Sequence, residues 1–254
     1  MIYIFFGSAI ILGTVGLRSI TAVLSPFVSP LDVLTLGNFA DVFAVDVYVR
    51  SIKNTLVLAI VGATLGTLLI TAVSVVAQRS QSRMRRWVDA MAQLPRVIPG
   101  ITVGLGVFYA IIFIPGFNVL SGTIWALLFA YLIRFLSAGY GIISPALMQI
   151  SMDFDRAARS VGSGWSMTMR KIIIPLCKPA MMSCFILVMI LIIKEYASAI
   201  FLMKFGSEVI GSTMLSLWMQ GQTGPVAALA VVQIALISVL ILIATKLLGV
   251  KLYG

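Results

Sequence analysis

The sequence predicts an all-α membrane protein, with six transmembrane helices and a polar helix–turn–helix insert between the fourth and the fifth. Three observations carry this. The 254 residues are 61% hydrophobic and only 10% charged, with a mean hydropathy of +1.11, more apolar surface than one water-soluble core can hide. Several uncharged runs reach the roughly 20 residues that a helix needs to cross a bilayer. And "RAARSVGSGWSMTMRKIIIP" (156–175) is a glycine-broken polar stretch with apolar sequence on both sides.

The expected spans fall near 2–25, 55–78, 97–114, 119–143, 180–203 and 223–245. Arg18 interrupts the first: either the helix is short and Arg18 sits at the far interface, or it runs on to Pro26 with the charge tucked in. "MIYIFF" lacks the basic n-region of a cleavable signal peptide, and its abrupt apolar start also fits one half of a longer fused chain. Between the first two spans, "LTLGNFADVFAVDVYVRSIKNT" (34–55) is periodic enough for a short helix on the outer surface. The second is the plainest, since Asn54 to Gln78 is uncharged and extends about 37 Å at ~1.5 Å per residue. "PGFN" (115–118) is turn chemistry that divides the third from the fourth, and "QGQTGP" (220–225) precedes the sixth. Before it, "GSEVIGSTMLSLWMQ" (206–220) is expected to join 34–55 in an outer platform.

Orientation follows from Lys and Arg. The loop 79–96 holds Arg79, Arg83, Arg85, Arg86 and Arg96; the loop 144–178 holds Arg156, Arg159, Arg170, Lys171 and Lys178; the tail holds Lys246 and Lys251. Only Arg18, Arg50, Lys53 and Lys204 fall on the other side, with Arg134 and Lys194 inside spans. Both termini and both basic loops are therefore expected in the cytoplasm. The net charge of +10 is then mostly topology, calling for anionic lipid or an acidic partner rather than nucleic acid. There is no His, and Cys177 and Cys184 are seven residues apart, about 10 Å along one helix and too far for a disulfide. Neither a metal site nor a cofactor is expected.

Within the insert, Asp153 reads as an N-cap and Gly162 as the stop of a short amphipathic helix. Its apolar side would be Phe154, Ala157, Ala158 and Val161, at i, i+3, i+4 and i+7. A second short helix would run from Trp165 to Ile174 and end at Pro175, the chain returning to the membrane near Pro179. That geometry alone suits a lipid-lying element, a solvated loop or a docking surface.

The spacing adds a resemblance. "AARSVG", followed after nine residues by "IIIP", resembles the signature E-A-A-x-x-x-G, nine spacers, I-x-L-P of ABC importer permease subunits, the binding-protein-dependent inner-membrane transport components. Ala157, Ala158, Gly162, Ile172 and Pro175 match, and Ile174 stands in for the leucine. Arg156 occupies the glutamate position, with the acid, Asp155, one place earlier. The resemblance implies that 1–254 is one transmembrane permease domain whose loop at about 147–178 is a coupling loop seated in a groove of an ATP-hydrolysing subunit. Asp155, Arg156, Ala157, Ala158, Gly162, Ile172 and Pro175 would be its coupling residues. It also implies a second permease half (identical, different or fused), a periplasmic or lipid-anchored solute-binding protein, and a bacterial inner membrane. From about Leu34 to Tyr253 the chain looks most like the ferric-iron-type branch, which makes ferric iron the expected solute, although phosphonate, polyamine and thiamine importers have similar permeases.

No phosphate-cradling G-x-x-x-x-G-K-[ST] loop occurs, nor H-E-x-x-H, nor G-x-S-x-G with a histidine partner, so ATP hydrolysis is expected in a partner and the chain is not expected to be an enzyme. A secondary carrier or channel needing no ATPase is the alternative. Arg134, Lys194 and Glu195 are expected within the membrane, because a fifth helix ending before Lys194 would keep only the residues from Ala180 to Ile193. Buried charge is expensive there, so these three are candidates for a pathway or gate, against snorkelling or a structural pair. Counting along ideal helices sets Arg134 about 14 Å deep and Glu195 about 23 Å deep, which argues against a direct pair. Gly62 and Gly66, and Gly100 and Gly104, form G-x-x-x-G repeats that suit close helix packing or a subunit interface.

Overall fold

The computed structural model describes residues 2–80 and 83–248; Lys251 and Tyr253 lie outside them. The described residues are mostly helical, and the only β contact among them is an isolated antiparallel bridge, Thr21 to Leu34. At the centre, α3 (Asp46–Arg79), α6 (Ile124–Gln149) and α9 (Ile174–Ile193) pack on one another. Their buried faces are joined through small residues. A Cβ on Gly62 would stand 2.6 Å from Ile192 Cδ1, and one on Gly139 would stand 2.5 Å from Ile70 Cδ1 and 2.7 Å from Cys184 Sγ. Close backbone approach of this kind is how helices associate where lipid removes the hydrophobic drive. Both cysteines are free and buried in this core.

Among the described residues, four helices are long and apolar enough to cross a membrane: α3, α6, the continuous helix Trp165–Ile193, and Thr223–Ala244 within α12 (Thr223–Leu248). A fifth crossing is available if α4 (Arg85–Gln93), its following turn Leu94–Arg96 and α5 (Gly100–Phe113) count as one span bent by 109°. α1 (Ile2–Ser19) packs on α12 and is shorter than the expected 2–25. It stops because Arg18 turns into a polar knot, donating from Nε to Thr223 Oγ1 (3.0 Å) and from Nη1 to the Thr21 carbonyl (2.6 Å). Asn38, on α2 (Gly37–Ala44), donates to the carbonyls of Ser19 and Thr21. Of the two expectations for Arg18, the short helix is the one observed. Beside this knot, α2, α11 (Ile210–Met219) and the start of α12 share a second small apolar cluster around Val42, Leu217 and Leu229.

Three expectations need correction. The stretch 79–96 is largely helix, because Met84, Trp87, Met91 and Leu94 recur at helical spacing on an exposed side while Ala92 is buried on the other; Pro95 and Pro99 then force the bend. Pro175 does not end the insert's second helix. α8 (Trp165–Thr168), a π-helical stretch Met169–Ile173 and α9 run on as one helix, the wider turn relieving the clash between the proline ring and the preceding carbonyls. Finally, α9 stops at Ile193, so Lys194 and Glu195 lie in a non-helical break before α10 (Ala199–Leu202). The argument from length fails because the helix begins at Trp165 rather than Ala180.

Candidate functional site

The first candidate region is α7 (Asp153–Ser160). Asp153 is its first helical residue rather than its N-cap, which is Met152, and the Asp153 N–H donates to the Ser151 hydroxyl at 3.1 Å. At its other end the Gly162 N–H reaches the Arg159 carbonyl and the Ser163 N–H reaches the Ala158 carbonyl, a Schellman ending that requires the left-handed φ of +77° at Gly162. Asp155 turns inward. Its carboxylate accepts from Arg79 Nη1 at 2.6 Å, with the two side chains 10% and 1% exposed. Arg79 Nη2 also donates to the carbonyls of Leu147 (2.6 Å) and Ile150 (2.5 Å), so one guanidinium caps the end of α6 and fastens α7 to it. Arg156, at the motif's glutamate position, faces outward and bonds to Asp153 at 3.2 Å, both well exposed.

The expected apolar face divides. Ala158 is buried, whereas Phe154, Ala157 and Val161 are exposed and uncovered by the rest of the chain. A Cβ on Gly162 would meet nothing within 4 Å. Ile172 packs against the core and Pro175 is exposed.

The second region is central. Arg134 Nη1 bonds to Glu195 Oε1 at 3.0 Å, contrary to the depth argument. α6 extends to Gln149, which places Arg134 about 22 Å from that end, level with Glu195 at the end of the long Trp165–Ile193 helix. Glu195 also accepts the Ser198 N–H (3.0 Å), and the Ser198 hydroxyl donates to the Gly100 carbonyl (3.1 Å). Gly100 is needed for this: a Cβ there would lie 1.0 Å from Arg134 Nη1, and one on Gly104 would lie 2.4 Å from the Ser198 carbonyl oxygen. Gly66 has only ordinary contacts with Leu132 and Val188. The structure thus gathers Arg134, Glu195, Gly100 and Gly104 around Ser198 and leaves Lys194 exposed outside the group. Sequence reasoning missed Ser198, whose only signal is a hydroxyl three residues beyond Glu195.

A further ion pair joins Arg50 Nε to Glu208 Oε2 at 3.0 Å, with the Arg50 guanidinium 4.6 Å above the exposed Phe205 ring. Asn54 donates to the carbonyls of Gly206 and Glu208, so the start of α3 holds the loop 203–209.

Residues 70–251 match the family described as binding-protein-dependent transport system inner membrane component. The chain belongs to this family. With several apolar helices, this family member is a multi-pass membrane protein with a permease fold. A putative 2-aminoethylphosphonate transport system permease protein from Salmonella typhimurium is 29% identical over 154 residues, covering 61% of this chain and 57% of the relative. The Fe(3+)-transport system permease protein FbpB 2 of Haemophilus influenzae is 22% identical over 182 residues, covering 72% of this chain and 34% of the relative. The match therefore spans less than two thirds of either curated relative. Among solved structures, a bacterial ABC transporter involved in the import of the acidic polysaccharide alginate superposes with a TM-score of 0.73 at 17% identity, covering 97% of this chain and 94% of that one. The methionine ABC transporter MetNI in an inward-facing form gives 0.66 at 18% identity, covering 80% and 95%.

Proposed function

We propose that the chain is the membrane-spanning permease subunit of an ATP-driven ABC importer, working with a second permease half, separate ATPase subunits and an outer solute-binding protein. Six spans would cross a bacterial inner membrane with both termini and α7 in the cytoplasm. The observation that carries this is the bare apolar face of α7: Phe154, Ala157 and Val161 are exposed on a helix that the Arg79–Asp155 pair fixes to the bundle. A rigidly held helix with an uncovered apolar side is suited to pass a partner's movement into the spans. Arg156, Gly162, Ile172 and Pro175 complete the coupling segment, Gly162 by shaping its end. Arg134 and Glu195 would act at the solute pathway or its gate, as a pair that closes the break after α9 in one state and parts in another.

Ferric iron remains a candidate solute through the Haemophilus relative, and 2-aminoethylphosphonate through the Salmonella one, which has the higher identity over a shorter stretch. The test is reconstitution with candidate ABC ATPase subunits. Val161→Asp, at an exposed position, is expected to abolish solute-stimulated ATP hydrolysis while the protein inserts normally, and Val161→Ala to retain it. Comparing the two solutes with their binding proteins in the same assay identifies the cargo. Uptake by the purified chain without any ATPase would instead establish a secondary carrier or channel.

A further inference from the structure

Between the ends of α3 and α4 on one side and α7 and α8 on the other lies a cavity of about 620 Å³ that the importer reading does not use. Arg79, Arg85, Arg159, Gln78, Thr168 and Trp165 are among its walls. Three guanidinium groups face one carboxylate, that of Asp155, which Arg79 already engages. Arg159 spends only Nε, on the Asp155 carbonyl at 3.3 Å. Arg85, in the first turn of α4, has no hydrogen-bond or ion-pair partner among the described residues, and Arg79 Nε is buried without an acceptor. Arginine keeps its proton at any physiological pH, so the cavity carries roughly two uncompensated positive charges. Such a set of forked donors suits a tetrahedral oxyanion, which can accept paired N–H groups from more than one arginine. The exposed Trp165 side chain adds a flat apolar wall, as sites for organic ligands commonly have.

We infer that this cavity is a binding site for a phosphate-bearing ligand, held between Arg85 on α4 and Arg159 on α7. The phosphate comes from one of two sources, the headgroup of an anionic phospholipid or a free phosphorylated solute. Either one, when bound, braces α4, which leads through the bend to Gly100, against α7. The site belongs to the chain itself, and its occupancy is measurable with no ATPase or transport assay.

The experiment uses the full chain in nanodiscs. In discs of phosphatidylcholine alone, inorganic phosphate is titrated; in a second series, phosphatidylglycerol is mixed in. The readout is the fluorescence change lost in Trp165→Phe, with retained lipid counted by native mass spectrometry. Saturable change with inorganic phosphate identifies a soluble ligand, and change with retained phosphatidylglycerol alone identifies a headgroup. The double variant Arg85→Gln/Arg159→Gln, at two exposed positions, is expected to weaken either signal at least about tenfold, the loss of one charge-assisted contact or more. The proposal is overturned if neither probe gives a saturable signal, or if the double variant binds as well as the parent.

Discussion

Two of the arginine–carboxylate pairs in this chain, Arg79–Asp155 and Arg134–Glu195, are built to different standards. Arg79 and Asp155 are almost fully enclosed, and Arg79 spends further donors on two carbonyls at the end of α6. Arg134 and Glu195 share less of their capacity with the backbone: Arg134 is a quarter exposed, and its other hydrogen bond is a long one, 3.4 Å to the Ser198 hydroxyl. The first pair joins the end of one helix to the start of the next, with every partner fixed. The second spans a break in the chain and depends on the absence of a side chain at Gly100. A closed pair transmits position; a loosely held one can open.

The largest effect that would break this contrast is at Arg79. Arg79→Ala leaves Asp155 buried without its counter-charge and two carbonyls without a donor, so a stability loss of about 3–5 kcal/mol is expected. It is measured by denaturant unfolding in detergent, and a loss under about 1 kcal/mol, the range of an exposed pair, would make the two pairs equivalent. Arg79→Lys should recover only part, because an ammonium cannot fork between acceptors.

A middle-sized effect is expected at Gly100→Ala, whose new methyl coincides with the Arg134 guanidinium. Overpacking of this kind costs about 1–3 kcal/mol. Combined with Arg134→Ala it should cost less than the two changes summed, since the obstacle is then gone. Strict additivity would mean that Gly100 serves something other than the pair.

The smallest effect belongs to the Arg50–Glu208 pair. Burial acts to raise the Glu208 carboxyl, but the N–H groups of Glu208 and Gly206 and the Arg50 guanidinium outweigh it and hold the pKa below its ordinary value. A carboxylate depressed in the folded state contributes stability that is complete above the unfolded pKa, about 4.3, and is lost as pH falls through the lower folded one. The protection factors of the loop 203–209 in hydrogen exchange, measured relative to the intrinsic rate at each pH, should therefore fall on acidification below that range. Glu208→Gln should show low protection at all pH values and lose the dependence.

Much of the frame was legible in the sequence, because α3 and α12 contain long uncharged runs that a bilayer explains. α7 was legible too, its length and its glycine stop being local properties. What escaped depended on where helices begin. Pro175 and Pro179 looked like boundaries, yet a π-helical turn absorbs the first, and α9 carries on past the second. That one error shifted the fifth helix and put Lys194 and Glu195 inside it, while the different depths of Arg134 and Glu195 came from ending α6 short of Gln149. Gly139 is a different failure. It sits where three helices cross, but a single glycine in "SAGYG" carries no pattern that distinguishes it from its neighbours.

The unbroken helix from Trp165 to Ile193 begins beside α7 and ends at the residue before Lys194 and Glu195. At ~1.5 Å per residue it measures about 42 Å, so a swing of only a few degrees about one tip would sweep the other through roughly 3 Å, the length of one hydrogen bond. Leverage on that scale is enough to make or unmake the Arg134–Glu195 contact without any spring or hinge along the shaft.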